Sequence, residues 1–126
     1  MVITEDLLKK YPLDRCEISE FNTKVVGTSF RDAKDIDAVE DDDWVLIVPE
    51  IDNPYDPFAC MVIHDKTNAH IGYLSKVNSI GSNLSEEVCK NIKNGDLYVG
   101  KVETTGGTQG KTKGLNLNIR RLHIKG

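Results

Sequence analysis

Five short apolar runs, each closed by residues that favour turns, constrain the fold of this chain more than any other feature. They are Trp44 to Val48, Phe58 to Ile63, His70 to Leu74, Leu97 to Thr105 and Leu115 to Ile124, each the length of a strand. The first is apolar throughout, which predicts a strand buried on both faces. Asp65 to Asn68 reads as the turn of a hairpin between the second and third runs. Between the last two, Gly106 to Gly114 holds four glycines and two lysines and predicts a mobile, basic loop tip. Upstream, Phe21 to Phe30 adds a sixth strand. One stretch breaks the strand pattern: Val77, Ile80, Leu84, Val88 and Ile92 recur every three or four residues and form a helical stripe. Gly81 confines the firm helix to 83–93, and Asn94-Gly95 ends it. Thr4, followed by Glu5 and Asp6, starts a short helix that stops before Pro12. Residues 31–43 are polar and acidic and predict a solvated loop with a turn. The sum is a mainly β chain with some α, closed into a small barrel of about six strands with one main and one short helix, since closure removes exposed edges.

A chain of 126 residues fits one domain, and 39% hydrophobic with 29% charged residues excludes disorder as the default state. No run of about 18 apolar residues offers a membrane span. Met1 to Lys10 mixes acids and lysines where a signal peptide needs an apolar stretch, so a cytoplasmic location is expected. Cys16, Cys60 and Cys89 are odd in number and lack a CxxC pair, which points to buried thiols rather than disulfides or structural zinc. Charge is divided unevenly. Residues 1–75 hold 7 basic and 16 acidic side chains, a net of −9; residues 76–126 hold 9 basic and 4 acidic, a net of +5. A broad cationic track along a duplex is therefore not expected, but one basic face or a pocket for a strand end is compatible.

Catalytic motifs are weak. Gly110-Lys111-Thr112 lacks the earlier glycine of a P-loop, since Thr105 stands there, and a strand follows instead of a helix. Lys111 and Lys113 read as a secondary contact to a phosphate backbone or as part of a plain turn. His64, His70 and His123 are isolated, with no metal-ligand spacing. Asp52 and Asp56 have no nucleophile nearby. No enzyme, cofactor or metal is expected.

The segment Pro49-Glu50-Ile51-Asp52-Asn53-Pro54-Tyr55-Asp56-Pro57 is the most unusual. Three prolines stiffen a connection where a shorter turn would serve. A stiff loop loses little entropy on binding. It carries Tyr55 between an amide and a carboxylate, which suits stacking a base while bonding a sugar. Equally, Tyr55 could fold back onto the barrel while Asp56 caps a turn. Both readings stay open on the sequence.

Together these residues resemble the HIRAN domain. Val25 to Phe30 resembles the opening strand of that family, and Trp44 to Glu50 its apolar strand with a closing acid. Asp52 to Ala59 matches the most distinctive run of the family, and Ile71 to Lys76 the strand that leads into the helix. The resemblance covers roughly 22–124, leaving 1–21 as an N-terminal extension with a short helix and 22–126 as the barrel domain. It implies a modified oligonucleotide-binding (OB-like) barrel that grips the 3′-hydroxyl end of single-stranded DNA in repair, processing or at a replication fork. A helicase or nuclease would be a separate partner. Carried over by position, the resemblance implies that Phe30 and Tyr55 sandwich the terminal base. Asp56 would accept a bond from the 3′-hydroxyl, Asn53 would position the nucleotide, and Lys76 would meet a phosphate. Tyr73 stands where fork-remodelling relatives carry a histidine, Ser29 where they carry an arginine, and Phe30 where they carry a tyrosine. The alternative is a protein-interaction adaptor on the same barrel with a degenerate end pocket.

Overall fold

The computed structural model describes residues 1–77, 81–106 and 114–126, with backbone alone for 104–106. Six antiparallel strands form a closed barrel: β1 (Cys16–Val26), β2 (Trp44–Pro49), β3 (Cys60–His64), β4 (His70–Leu74), β5 (Leu97–Gly106) and β6 (Gly114–Ile124), in the spatial order β1-β4-β3-β2-β5-β6. Helix α1 spans Glu5–Lys9, α2 spans Ala33–Asp37 and α3 spans Leu84–Lys93, with short 3-10 turns at Leu13–Arg15 and Thr28–Phe30. This is the closed barrel of about six strands expected from the strand pattern, and it is consistent with the OB-like form that the resemblance implies.

The inward side chains alternate as a pleated sheet requires. Val45 and Ile47 of β2, Val62 of β3, Ile71 of β4, Val102 of β5 and Leu117 and Ile119 of β6 meet in one buried core. Helix α3 covers it with Leu84, Val88 and Cys89. Close packing leaves no room at Gly100, where a Cβ would stand 2.7 Å from Ile119 and 2.9 Å from Val45. Thr4 caps α1 as its position suggests, its hydroxyl accepting from Leu7 N. Cys16, Cys60 and Cys89 are all buried and free.

Several expectations change. Strand β2 is not buried on both faces: Val45 and Ile47 point inward, while Trp44 is exposed and Leu46 and Val48 are half-covered. The strand read over 21–30 runs instead over Cys16–Val26. It therefore starts inside the 1–21 segment, where Glu17 to Glu20 pair with β6 although all four side chains face solvent. It stops at Gly27, whose φ of 76° is left-handed. Residues 31–43 are not a solvated loop. Asp32 caps α2 by accepting from Lys34 N, and Ile36 and Val39 dock on the barrel with 2% and 0% of their surface exposed. Two apolar side chains three residues apart are enough to anchor a turn of helix when a core awaits them. The expected basic tip with Lys111 and Lys113 lies outside the described residues.

Candidate nucleic-acid interface

Strand register gathers the expected site residues at one end of the barrel. Val26, Tyr73, Met61 and Val48 lie in one row across β1, β4, β3 and β2. Just beyond that row come the segment after β1, the β2–β3 loop and the exit of β4. These carry Phe30, then Asn53, Tyr55 and Asp56, then Lys76, around Tyr73. β1 and β4 must approach closely for this. Gly72 permits it, since a Cβ there would stand 2.5 Å from Val25 Cγ1 and 2.7 Å from Val26 O.

The β2–β3 loop packs on the core only at its end, through Phe58 and Ala59; its tip is held by polar side chains. Asn53 Oδ1 accepts from the backbone N–H groups of Tyr55 (2.8 Å) and Asp56 (2.9 Å), forming an Asx turn. Its Nδ2 donates to Glu50 Oε1 at 2.8 Å. The other oxygen of Glu50 accepts from the Tyr73 hydroxyl at 2.8 Å. Asp56 Oδ1 accepts from Phe58 N at 2.9 Å, and its Oδ2 lies 3.7 Å from Lys76 Nζ. Glu50 thus joins the loop to β4. The bond to Glu50, aided by burial, pushes the Tyr73 phenol above its usual range, so it stays a donor.

With the loop fixed in this way, Tyr55 does not fold back: 95% of its surface is exposed. Asp56 does cap a turn, accepting from Phe58 N, so that part of the second reading holds for Asp56 and not for Tyr55. Phe30 is 89% exposed. Two aromatic rings therefore stand in solvent at the end where Asp56 and Lys76 form a surface pair. A cleft of about 190 Å³ opens beside that pair, between Asp56, Phe58 and Lys76 on one side and Asn83, Ser85 and Glu86 at the start of α3 on the other. Asn53 and Tyr73 are engaged within the protein; Asn53 keeps one amide N–H.

Two residues of this end were not named as site residues from the sequence. Glu50 figured only as an acid closing a strand, because its partners Asn53 and Tyr73 meet it only in the folded barrel. Arg31 donates from Nε to the His70 carbonyl at 2.9 Å, anchoring its guanidinium beside β4. Burial first, and the Arg31 charge second, push the His70 imidazole below its usual value. The His70 ring lies edge-on to Tyr73, with centroids 4.8 Å apart.

The arrangement offers two stacking surfaces, a carboxylate oxygen and an ammonium. Among the described residues, no three His, Cys, Asp or Glu side chains gather to hold a metal ion. No helix among them is long and apolar enough to cross a membrane.

Comparisons with known proteins bear on the family and the fold. The family model for the HIRAN domain matches residues 18–92. The fold is similar to a crystal structure of a protein from Lactobacillus plantarum, with a TM-score of 0.66 and 20% identity over 84% of this chain and 98% of that one. It is also similar to the HIRAN domain of human HLTF, with a TM-score of 0.68 and 17% identity over 90% of this chain and 84% of that one. Comparison with curated proteins gave no match. The matched segment runs from β1 through α3 and includes every residue placed at this barrel end, and on that basis the chain belongs to the HIRAN domain family.

Proposed function

We propose that this chain is a nucleic-acid-binding module that recognises the 3′-hydroxyl end of single-stranded DNA. Family membership supports the binding module. The observation that carries the finer reading is the pair of exposed rings, Tyr55 and Phe30, at the barrel end that also holds Asp56 and Lys76. An aromatic side chain held in solvent by a stiff loop has no packing role, and a stacked base would cover it.

In this reading the terminal base stacks between Tyr55 and Phe30. Asp56 Oδ2, which has no backbone partner among the described residues, accepts from the 3′-hydroxyl, and a 3′-phosphate is repelled by the same charge. Lys76 leaves Asp56 to meet a backbone phosphate; a surface ion pair is weak enough to exchange. Asn53 and Tyr73 hold the loop through Glu50 and contribute to positioning the nucleotide. Arg31 supplies a cation near the position where Ser29 lacks one. The chain acts without catalysis of its own, in repair or processing of DNA ends, with any helicase or nuclease as a separate partner.

Fluorescence anisotropy at low salt tests this with two labelled single strands, one ending in a 3′-hydroxyl and one in a 3′-phosphate. Tighter binding of the free end is expected. Equal binding of both would remove Asp56 from the reading. Binding of neither would favour the adaptor reading, which the two carboxylates of Glu50 and Asp56 beside the rings also support.

A further inference from the structure

Tyr73 has a different cation on each side along β4. Toward the exit of the strand stands Lys76, whose Nζ lies 3.7 Å from Asp56 Oδ2, so that charge is shared with an acid. Toward the start of the strand stands Arg31, the residue after Phe30. Its backbone N–H closes the 3-10 turn by donating to Thr28 O at 3.1 Å. Its Nε donates to the His70 carbonyl at 2.9 Å, about 10 Å along the strand from Tyr73. A guanidinium carries several N–H donors, and this anchor uses one. No ion pair among the described residues uses Arg31.

The rings beside Arg31 add no charge of their own. The His70 ring bonds the Gly72 backbone, and its Nε2 is buried without a partner among the described residues. A second ring proton would sit there with no acceptor, so the imidazole stays neutral. The Tyr73 hydroxyl is committed to Glu50, whose two oxygens are taken by Asn53 and Tyr73. Arg31 is therefore an anchored, unpaired cation with a planar fork, the form that suits a phosphate. A nucleotide stacked between Tyr55 and Phe30 has one phosphate of its own, for Lys76. A second cation on the opposite side of Tyr73 has work only if another phosphate follows.

We propose that Arg31 seats the phosphate of a neighbouring nucleotide, so that the ligand is a strand of two or more nucleotides that crosses Tyr73 toward the start of β4. This rests on the end-binding reading above and gives it a direction and a minimum length.

Calorimetry with 5′-phosphorylated thymidine strands of one, two and four nucleotides, each ending in a 3′-hydroxyl, tests this. Affinity of the parent is expected to rise at least about tenfold from one nucleotide to two, the worth of one charge-assisted contact. Arg31→Gln keeps a donor for the His70 carbonyl but removes the charge. It is expected to lose that step and to lower the slope of log affinity against log salt by about 0.7 for the longer strands. Arg31→Lys should restore most of the slope. His70 supplies a second readout by NMR. The groups that face it are Arg31, Tyr73, Glu50 and the Gly72 backbone, and Arg31 holds its titration down. A phosphate on Arg31 offsets that charge, so the His70 titration should move up when the two-nucleotide strand binds. In Arg31→Gln it should already be raised without the strand. Equal affinity of the parent for one and two nucleotides would overturn the proposal, as would a His70 titration that the bound strand leaves in place. Equal binding of 3′-hydroxyl and 3′-phosphate strands by the parent, with the length step intact, would overturn end recognition and leave the Arg31 seat standing. Binding of no strand would overturn both.

Discussion

At each end of the β2–β3 ladder a carboxylate meets a lysine, and the two pairs do opposite things. At one end Asp43 is buried. It accepts from Glu40 N at 3.0 Å, from His64 Nε2 at 2.8 Å and from Lys66 at 2.7 Å. The other ring nitrogen of His64 lies 2.8 Å from the Thr67 hydroxyl, so the acid fastens the β3–β4 hairpin to the turn before β2. Burial pushes the Asp43 carboxyl up, but the bonds from Lys66, Glu40 N and His64 outweigh it and hold the pKa at about 2. At the other end Asp56 keeps one oxygen for a loose contact with Lys76, at the barrel end that also carries the exposed rings of Tyr55 and Phe30. An acid with every oxygen engaged inside the protein supports the fold. An acid with an oxygen left at the surface, one residue from the exposed Tyr55, carries the proposed contact to a strand end instead.

Substitutions at the two ends should therefore separate stability from binding. Asp43→Ala leaves the His64 N–H buried without an acceptor and is expected to lower unfolding free energy by about 3 kcal/mol in urea titrations. The folded fraction should still bind DNA ends as the parent does. Acid should reproduce part of that loss. The folded pKa of Asp43 lies below its ordinary value of 3.8, so its contribution is complete above about 4 and disappears as pH falls through about 2. That predicts a loss of about 2 kcal/mol over this window, removed in Asp43→Asn. Tyr55→Ala should do the reverse: DNA-end affinity falls by about 1–3 kcal/mol in anisotropy titrations while stability is unchanged. The smallest effect is expected for Lys76→Ala, which should weaken all sequences alike and reduce the slope of log affinity against log salt by about one.

The parts of this molecule legible in the sequence are those whose pattern is local. β4 over His70–Leu74 and α3 over Leu84–Lys93 follow from period and turn residues alone. The stiff loop around Tyr55 is marked by its prolines. The first half of β1 is not legible, because Glu17 to Glu20 bury no face and owe their strand geometry to β6. Helix α2 is hidden in an acidic run whose apolar signal is two residues, Ile36 and Val39. The Asp43–His64 pair spans 21 residues and the Glu50–Tyr73 bond spans 23, so neither has a sequence signature. At the barrel end proposed to bind, the exposed residues could be named from the sequence, whereas Glu50, which holds the β2–β3 loop to β4, could not.

Mapping amide shifts by ¹⁵N-correlated NMR during titration with a short single strand ending in a 3′-hydroxyl tests the central claim most directly. The account predicts shifts centred on residues 27–31, 50–59 and 73–77, with little change around Asp43, His64 and Trp44. Shifts centred on the Trp44 end, with the Tyr55 loop silent, would contradict it.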